Sequence, residues 1–285
     1  MNKTIIVSLS LVLLCFSSVI ADNVDNSLRK LEKKESRARA IEELKKIGKP
    51  AVTKLKLLAK DKKKDKETRI SSIILLGQLK ASDAQPDLED TLKNEENDSC
   101  REASAIALGH LDKKESIPKL KQALNDQSVN VRMRSVWALA KLGDKTGKEL
   151  AIKTLLEDKN VTGKVLASEA LEAIGDKDTI SQLQQYVNDG NVWTRIYAKL
   201  TIKKLGMVGL SESQRLGFLK DSLKDSQFEV NQWASIELAK IGTPEAINIL
   251  KEVAKDPSTK GNRSADKVLM KLVEQGKISK EELGK

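Results

Sequence analysis

The stretch Val131-Arg132-Met133-Arg134-Ser135-Val136-Trp137-Ala138-Leu139-Ala140-Lys141-Leu142-Gly143 decides the fold. Counted from Arg132, a small residue stands three positions on (Ser135). Leucines stand seven and ten positions on (Leu139, Leu142), and Gly143 closes the stretch at eleven. Offsets of three, seven and ten share one face of a helix with about 3.6 residues per turn. The small residue lets a neighbouring helix come close, and the leucines fill the space between helices. A glycine just past the last apolar position is where a helix needs a left-handed residue.

The same string recurs along the chain. Anchored on Arg37, Arg69, Arg101, Arg132, Lys164, Arg195, Asn231 and Arg263, it has spacings of 32, 32, 31, 32, 31, 36 and 32 residues. The small column reads Ala40, Ser72, Ser104, Ser135, Ala167, Ala198, Ala234 and then Asp266. The next column reads Leu44, Leu76, Leu108, Leu139, Leu171, Ile202, Leu238 and Met270; the last reads Ile47, Leu79, Leu111, Leu142, Ile174, Leu205, Ile241 and Val273. A fixed period in this range is the signature of stacked two-helix units, none of which can bury its apolar face alone. We call this helix B.

A second helix, A, precedes each B. Its columns are Leu88, Leu120, Ala151, Leu183 and Leu250, then Leu92, Leu124, Leu155 and Val187. Gly48, Gly143, Gly175, Gly206 and Gly242 fit the end of B, and Pro50, Pro86, Pro118 and Pro244 fit the first turn of the next A. Asp65, Asn97, Ser128, Asn160 and Asn191 stand where B needs an N-terminal cap. Asp126, Asp158, Asp189 and Asp225 lie six before their anchors, at the A-to-B turn. The pattern predicts an all-α, right-handed α-solenoid of about eight two-helix repeats. One irregular gap falls at Met207-Val208-Gly209-Leu210, an apolar insertion expected to fold back onto the stack.

These stretches, with Glu115–Asp126 as the matching helix A, resemble the HEAT-repeat family in its short bacterial, PBS-lyase-like form. The resemblance covers nearly the whole chain beyond the start. It implies a structural ladder in which anchor arginines pair with the turn aspartates, with Lys164 and Asn231 as weak rungs. It does not fix a function, because such folds host unrelated tasks. Some HEAT-like proteins grip DNA along a basic groove. HEAT-type hydroxylases with a di-iron centre need repeated His-Glu pairs, whereas His110, the only histidine, is followed by Leu111.

The start has its own reading. Lys3, an apolar run from Ile5 to Ile20 and the sequence Val19-Ile20-Ala21 before Asp22 form a secretory signal peptide over residues 1–21. The run is short for a membrane span. Cys15 invites a lipoprotein reading, but Leu14 stands where a lipobox wants a small residue. The expected organisation is therefore signal peptide 1–21, a single solenoid domain 22–276 and a charged tail 277–285. The expected location is a bacterial periplasm or cell surface.

Composition narrows the chemistry. Among 285 residues there are 51 Lys+Arg against 41 Asp+Glu, a formal charge of +10, with two cysteines and 3% aromatics. A disulfide scaffold and a multi-histidine metal enzyme are excluded. No Gly-rich phosphate loop, nucleophile elbow or paired-Cys motif appears, so no cofactor, metal or catalytic residue is expected. The function expected is a non-catalytic scaffold that binds a protein or peptide on its helix-B face.

Offsets two and nine from the anchor lie away from the core columns, and they nominate Arg134, Lys141, Tyr197, Lys204, Trp233 and Lys240 as partner-binding. If exposed, Tyr197 and Trp233 form a paired aromatic platform with Lys204 and Lys240 at its rim. The alternative makes both aromatics packing residues between neighbouring helices. Trp137 and Trp193 read as core, and the apolar residues at offset five (Ile74, Ile106, Trp137, Leu200, Ile236, Val268) read as packing on the adjacent repeat. A basic, aromatic strip also suits an anionic glycan or a lipid surface. Nucleic acid would suit it electrostatically, but the export signal argues against that partner. The chain is expected to be a monomer.

Overall fold

A computed structural model describes residues 19–283. Among these residues every regular element is helical, and the helices pair as the periodicity predicts. The chain is an α-solenoid. The chain is described as two compact units, Met1–Ala151 and Ile152–Lys285.

In the first unit α1 covers residues 19–31, followed by α2 (Arg37–Ile47), α3 (Val52–Lys60) and α4 (Lys66–Gln78). Then come α5 (Gln85–Asn94), α6 (Asp98–Leu111), α7 (Ile117–Gln122) and α8 (Val129–Lys141). The boundary falls within α9 (Lys148–Glu157). The second unit holds α10 (Val161–Ile174), α11 (Asp178–Gln184), α12 (Val192–Gly206) and α13 (Glu212–Ser222). It ends with α14 (Phe228–Ile241), α15 (Pro244–Lys255) and α16 (Asn262–Glu274). Even numbers are the B helices.

The columns explain the packing. From Ala40 to Ala234 the whole small column is buried, and Leu44, Leu76, Leu108, Leu139, Leu171 and Leu238 are buried behind it. In the first unit the small residues let B helices approach closely. A Cβ on Gly77 of α4 would stand 2.5 Å from the Ala107 Cα of α6, and one on Gly109 would stand 2.8 Å from the Trp137 ring. Neighbouring A helices, such as α5 and α7, touch far less than neighbouring B helices. Within this unit the B side therefore faces inward.

The last repeat corrects the register by one residue. Asp266 is only half-buried, Val273 likewise, and Met270 is exposed. Ala265, Leu269 and Leu272 fill the core columns instead, which puts the anchor at Asn262 rather than Arg263. Hydrogen bonds agree: the Asn262 amide donates to the carbonyls of Val253 (3.3 Å) and Ala254 (2.5 Å). Those carbonyls lie nine and eight residues back, the same offsets at which Lys164 binds Leu155 and Leu156. The sequence string admits both registers; burial of an apolar face admits one.

Local signals behave as their chemistry requires. Asp65, Asn97, Asn160 and Asn191 cap their B helices through side-chain acceptors, whereas Ser128 sits at the cap position without such a bond. Gly175 and Gly242 end α10 and α14 in the left-handed region. Repeats without that glycine use Lys80 (φ 54°) and Asp112 (φ 59°). Gly206 does not serve this way: α12 runs through it and Met207 caps the end. The insertion folds back, with Met207, Val208 and Leu210 half-buried, and Ser211 with Gln214 forms a capping box that starts α13. The tail adds a short turn, Glu281–Leu283, whose Leu283 is buried. Most of the signal-peptide stretch, with Cys15, lies outside the described residues. No helix among the described residues is long and apolar enough to cross a membrane.

Candidate partner-binding surface

The ladder sets what is left for binding. In the first unit the Arg37 Nε donates to the Leu31 carbonyl (2.9 Å), and its Nη2 reaches Asp65 of the next repeat (3.1 Å). Arg69 joins the Ala59 carbonyl to Glu95. Arg101 donates to the carbonyls of Glu95 and Glu96 (both 2.9 Å) and grips both oxygens of Asp126 (2.8 and 2.9 Å). Burial alone would raise the Asp126 carboxyl. The Arg101 bonds and the Ser128 N–H outweigh it and hold the carboxyl below its ordinary range. These cations face the turns and are consumed by structure.

In the second unit the rungs change chemistry. Lys164 is buried, and its ammonium donates to the carbonyls of Leu155 (2.7 Å) and Leu156 (2.9 Å) and to the Thr194 hydroxyl (3.0 Å). Burial pushes its pKa down, against the pull of Asp158 and Asp189. Asn231 donates weakly to the Asp225 and Lys260 carbonyls and accepts a 2.7 Å bond from Ser264. The weak rungs are thus present as hydrogen-bonded, buried groups without an acid partner. Asp225 binds Lys199 instead (2.7 Å).

The six nominated residues do not form one surface. Tyr197 and Trp233 are only 9% and 8% exposed, so the packing alternative is the one the structure adopts. The offset-two position points between neighbouring helices. The cations are mostly matched by acids that the two-offset strip did not include. Lys204 pairs with Glu172 (3.1 Å), Lys240 with Glu237 (2.6 Å), and Arg134 reaches Glu102 (3.4 Å). Lys141 alone of the six is exposed and has no ion pair with a described residue. The i,i+3 spacing of Glu237 and Lys240 carried that signal in the sequence.

The offset-five residues expected to pack on the adjacent repeat do so in part: Ile74 and Trp137 lie against the core and still keep some surface open. In the first unit Ile74, Ile106 and Trp137 stand at one offset on α4, α6 and α8, and each is only half-buried. His110 meets the Trp137 ring edge-on, with centroids 5.3 Å apart. Burial first, then Lys80 and Lys141, push the His110 pKa below its ordinary value and favour the neutral ring. Glu102, held by Asn130 (3.1 Å) and Arg134, stands one helical turn before Ile106, and Lys141 stands one turn after Trp137. Such a row on the inner side of a stack can accept the apolar face of a peptide or helix.

In the second unit the exposed apolar residues gather on α12 and α14. Val192 and Phe228 occupy the same position, three before the anchor, on successive B helices, and both are about half exposed. Trp193, read as core, is 43% exposed and stacks on the buried Tyr197 with ring centroids 6.5 Å apart. Ile236 is exposed as well. The recurrence of Val192 and Phe228 at one offset was visible in the sequence; their exposure was not.

Comparison with known proteins bears on the fold. Residues 26–109 and 92–160 match the model for HEAT repeats. The chain is similar to the solved complex of CpcE and CpcF of phycocyanin lyase from Nostoc, at 22% identity over 80% of this chain and 90% of that one, with a TM-score of 0.48. Human deoxyhypusine hydroxylase in complex with glycerol is similar at 20% identity over 89% and 96% of the two chains, with a TM-score of 0.41. YibA of Escherichia coli is similar at 22% identity over 81% and 88%, with a TM-score of 0.44. No curated protein matches the chain.

Proposed function

This chain is a HEAT-repeat protein, and from that premise we propose that it is an exported, non-catalytic scaffold that binds a protein partner on the inner B-helix face of its first unit. The observation that carries the reading is the half-exposed row Ile74, Ile106 and Trp137. A solenoid normally fills its own core and covers its outer faces with charge. Three large apolar groups in register on three successive helices form a surface that gains from being covered. Burying a Trp and two Ile on association contributes a few kcal/mol, at about 25 cal/mol per Å² of apolar area. Arg134 with Glu102, and Lys141, supply a polar rim that fixes orientation more than affinity.

Export rests on the n-region, apolar run and small residue at Ala21 in residues 1–21. It places the partner in a bacterial envelope or at the cell surface. A purely electrostatic grip on an anionic polymer is the weaker reading, because Arg134, Lys204 and Lys240 already face acids of this chain.

The test is a crosslinked pull-down from envelope extract with mature protein, read by mass spectrometry. It runs beside Ile106→Glu with Trp137→Ala, shown to be folded by circular dichroism. A protein captured by the wild type and lost by the variant supports the reading. The same captured set from both proteins, or capture of anionic vesicles and no protein, overturns it.

A further inference from the structure

In the last repeat the shift of register sets an arginine loose. Asn262 takes the ladder position, so its neighbour Arg263 turns outward and is exposed. Neither Arg263 nor the adjacent exposed Lys260 makes a side-chain hydrogen bond or ion pair with a described residue. Arg101 is taken up by Asp126 and Lys199 by Asp225, whereas Lys62 and Lys63, on the turn before α4, are exposed like Lys260 and make no ion pair with a described residue. What sets Lys260 and Arg263 apart is that they line one cleft together.

Both cations line a cleft of about 410 Å³ between the A-to-B turns of the last two repeats. Phe228, 53% exposed at the start of α14, forms one apolar wall, and Pro257 adds to the apolar lining. Ser226 supplies a hydroxyl at its edge. No carboxylate lines the cleft. Two acids on these turns are engaged elsewhere. Asp256 accepts from the Ser258 N–H (2.9 Å) and from the Ser258 and Thr259 hydroxyls, and Asp225 accepts from Lys199 and the Gln227 N–H.

We infer that this cleft in the second unit is a docking site for an acidic peptide segment of a protein partner, carboxylates on Lys260 and Arg263 and an apolar side chain against Phe228. The charge argument selects the occupant: two cations without a counter-ion attract a carboxylate, and Arg263 can hold one through two parallel N–H bonds. The Phe228 and Pro257 lining offers apolar surface to a side chain of that peptide. The site goes beyond the B-helix face proposed above. It lies in the other unit, on turns rather than on a helix face, and its test does not depend on that face.

The experiment uses the mature protein and a fluorescein-labelled nonapeptide that alternates glutamate with leucine and phenylalanine, read by fluorescence anisotropy. The expected result is saturable binding that weakens as salt rises from about 50 to about 300 mM. Lys260→Glu with Arg263→Glu weakens it by about tenfold or more, and Phe228→Ser by several-fold. The glutamine version of the peptide binds no better than the charge-reversed variant. The Ile106→Glu, Trp137→Ala protein binds as the wild type does, so failure here is distinct from failure of the first-unit face. All three variants must retain the wild-type circular dichroism, which exposure of the substituted second-unit side chains favours. Absence of binding at about 1 mM peptide overturns the proposal. So does binding that ignores the charge reversal, or wild-type binding to phosphatidylglycerol vesicles with none to the peptide.

Discussion

In the first unit Arg37, Arg69 and Arg101 each reach a carboxylate of the following repeat, while Arg132 of that unit and Lys164, Arg195, Asn231 and Asn262 of the second end on backbone carbonyls and hydroxyls. The difference extends to the B–B contact. At offset eight the first unit carries Gly77 and Gly109, which let helix backbones touch, whereas the second carries Glu172, Lys203, Ala239 and, with the corrected register, Met270. The match to HEAT repeats covers residues 26–160, largely the first unit. The second unit keeps the helix pairs with weaker regular signals, and it exposes Val192, Trp193, Phe228 and Ile236. Regularity is thus concentrated in one region of the chain, while both regions leave apolar side chains exposed, Leu57 in the first among them. Charged pairs run through the first three anchors, and from Arg132 onward the anchors bind carbonyls and hydroxyls instead.

Breaking one rung in each unit gives the largest effect and tests that contrast directly. Arg101→Met leaves the Asp126 carboxylate without its partner and two turn carbonyls without a donor, all in a poorly solvated place. The expected loss is about 3–5 kcal/mol, the usual result of removing one member of a buried pair. Asn231→Leu orphans only neutral groups, chiefly the Ser264 hydroxyl, and is expected to cost about 1–3 kcal/mol. Urea unfolding separates the two through native reporters, since Trp137 lies in the first unit and Trp193 and Trp233 in the second. Equal losses would mean that the carboxylates are incidental to the ladder.

Next in size is a substitution whose sign depends on packing. In an ordinary helix interior Gly→Ala gains about 1 kcal/mol, because glycine costs more entropy to order. In α4 the new Cβ of Gly77→Ala would sit 2.5 Å from the Ala107 Cα and 2.8 Å from its carbonyl oxygen. Backbone cannot move aside as a flexible side chain can, so α4 and α6 must separate, at about 1–3 kcal/mol. The net expectation is destabilisation, read as a lower urea midpoint by Trp137 fluorescence. Gly217→Ala, in α13 of the second unit with nothing near its Cβ, is expected to stabilise. If both substitutions stabilise, the close B–B approach does not distinguish the units.

The fold was legible in the sequence because one column must be small and two must be large for helices to stack, and Ser135, Leu139 and Leu142 state that rule in a single stretch. The register of the last repeat was not, because Asn262 and Arg263 are both polar and the apolar residues from Ala265 to Val273 fit two phases. The burial of Ala265, Leu269 and Leu272 and the bonds of the Asn262 amide separate them. The surface was legible in part. Offset two looked open on a single helix, but Tyr197 and Trp233 are covered by neighbouring helices, a fact set by interhelix spacing rather than by helical phase. For the same reason offset five looked covered, yet Ile106 and Trp137 stay half-exposed. The pairing of Lys204 with Glu172 crosses between helices thirty-two residues apart, and no single-helix projection contains it.

Titration gives the most gradual contrast. In the first unit the carboxyls of Asp65, Glu95 and Asp126 are held below their ordinary values. For Asp65 the Thr68 hydroxyl is the chief cause; for Glu95 and Asp126 burial pulls the other way and the arginine bonds win. A folded pKa below the unfolded one contributes stability that is full above the unfolded carboxylate range and lost as pH falls through the folded value. His110 adds to this direction, since its depressed pKa means that acid must charge a ring the fold keeps neutral. In the second unit the shifted carboxyls are Asp256 and Glu281, both exposed, where solvent screens the gain. Acidification below about pH 5 is therefore expected to disturb Trp137 fluorescence before that of Trp193 and Trp233. At the alkaline end the order reverses. Lys164 has a folded pKa below its ordinary value, so between the two the unfolded chain binds more protons and second-unit stability climbs with pH. Lys164→Met should flatten that climb and leave the acid response of Trp137 unchanged. A second unit that melts first in acid would show that the ladder's charge has no part in the difference between the two halves.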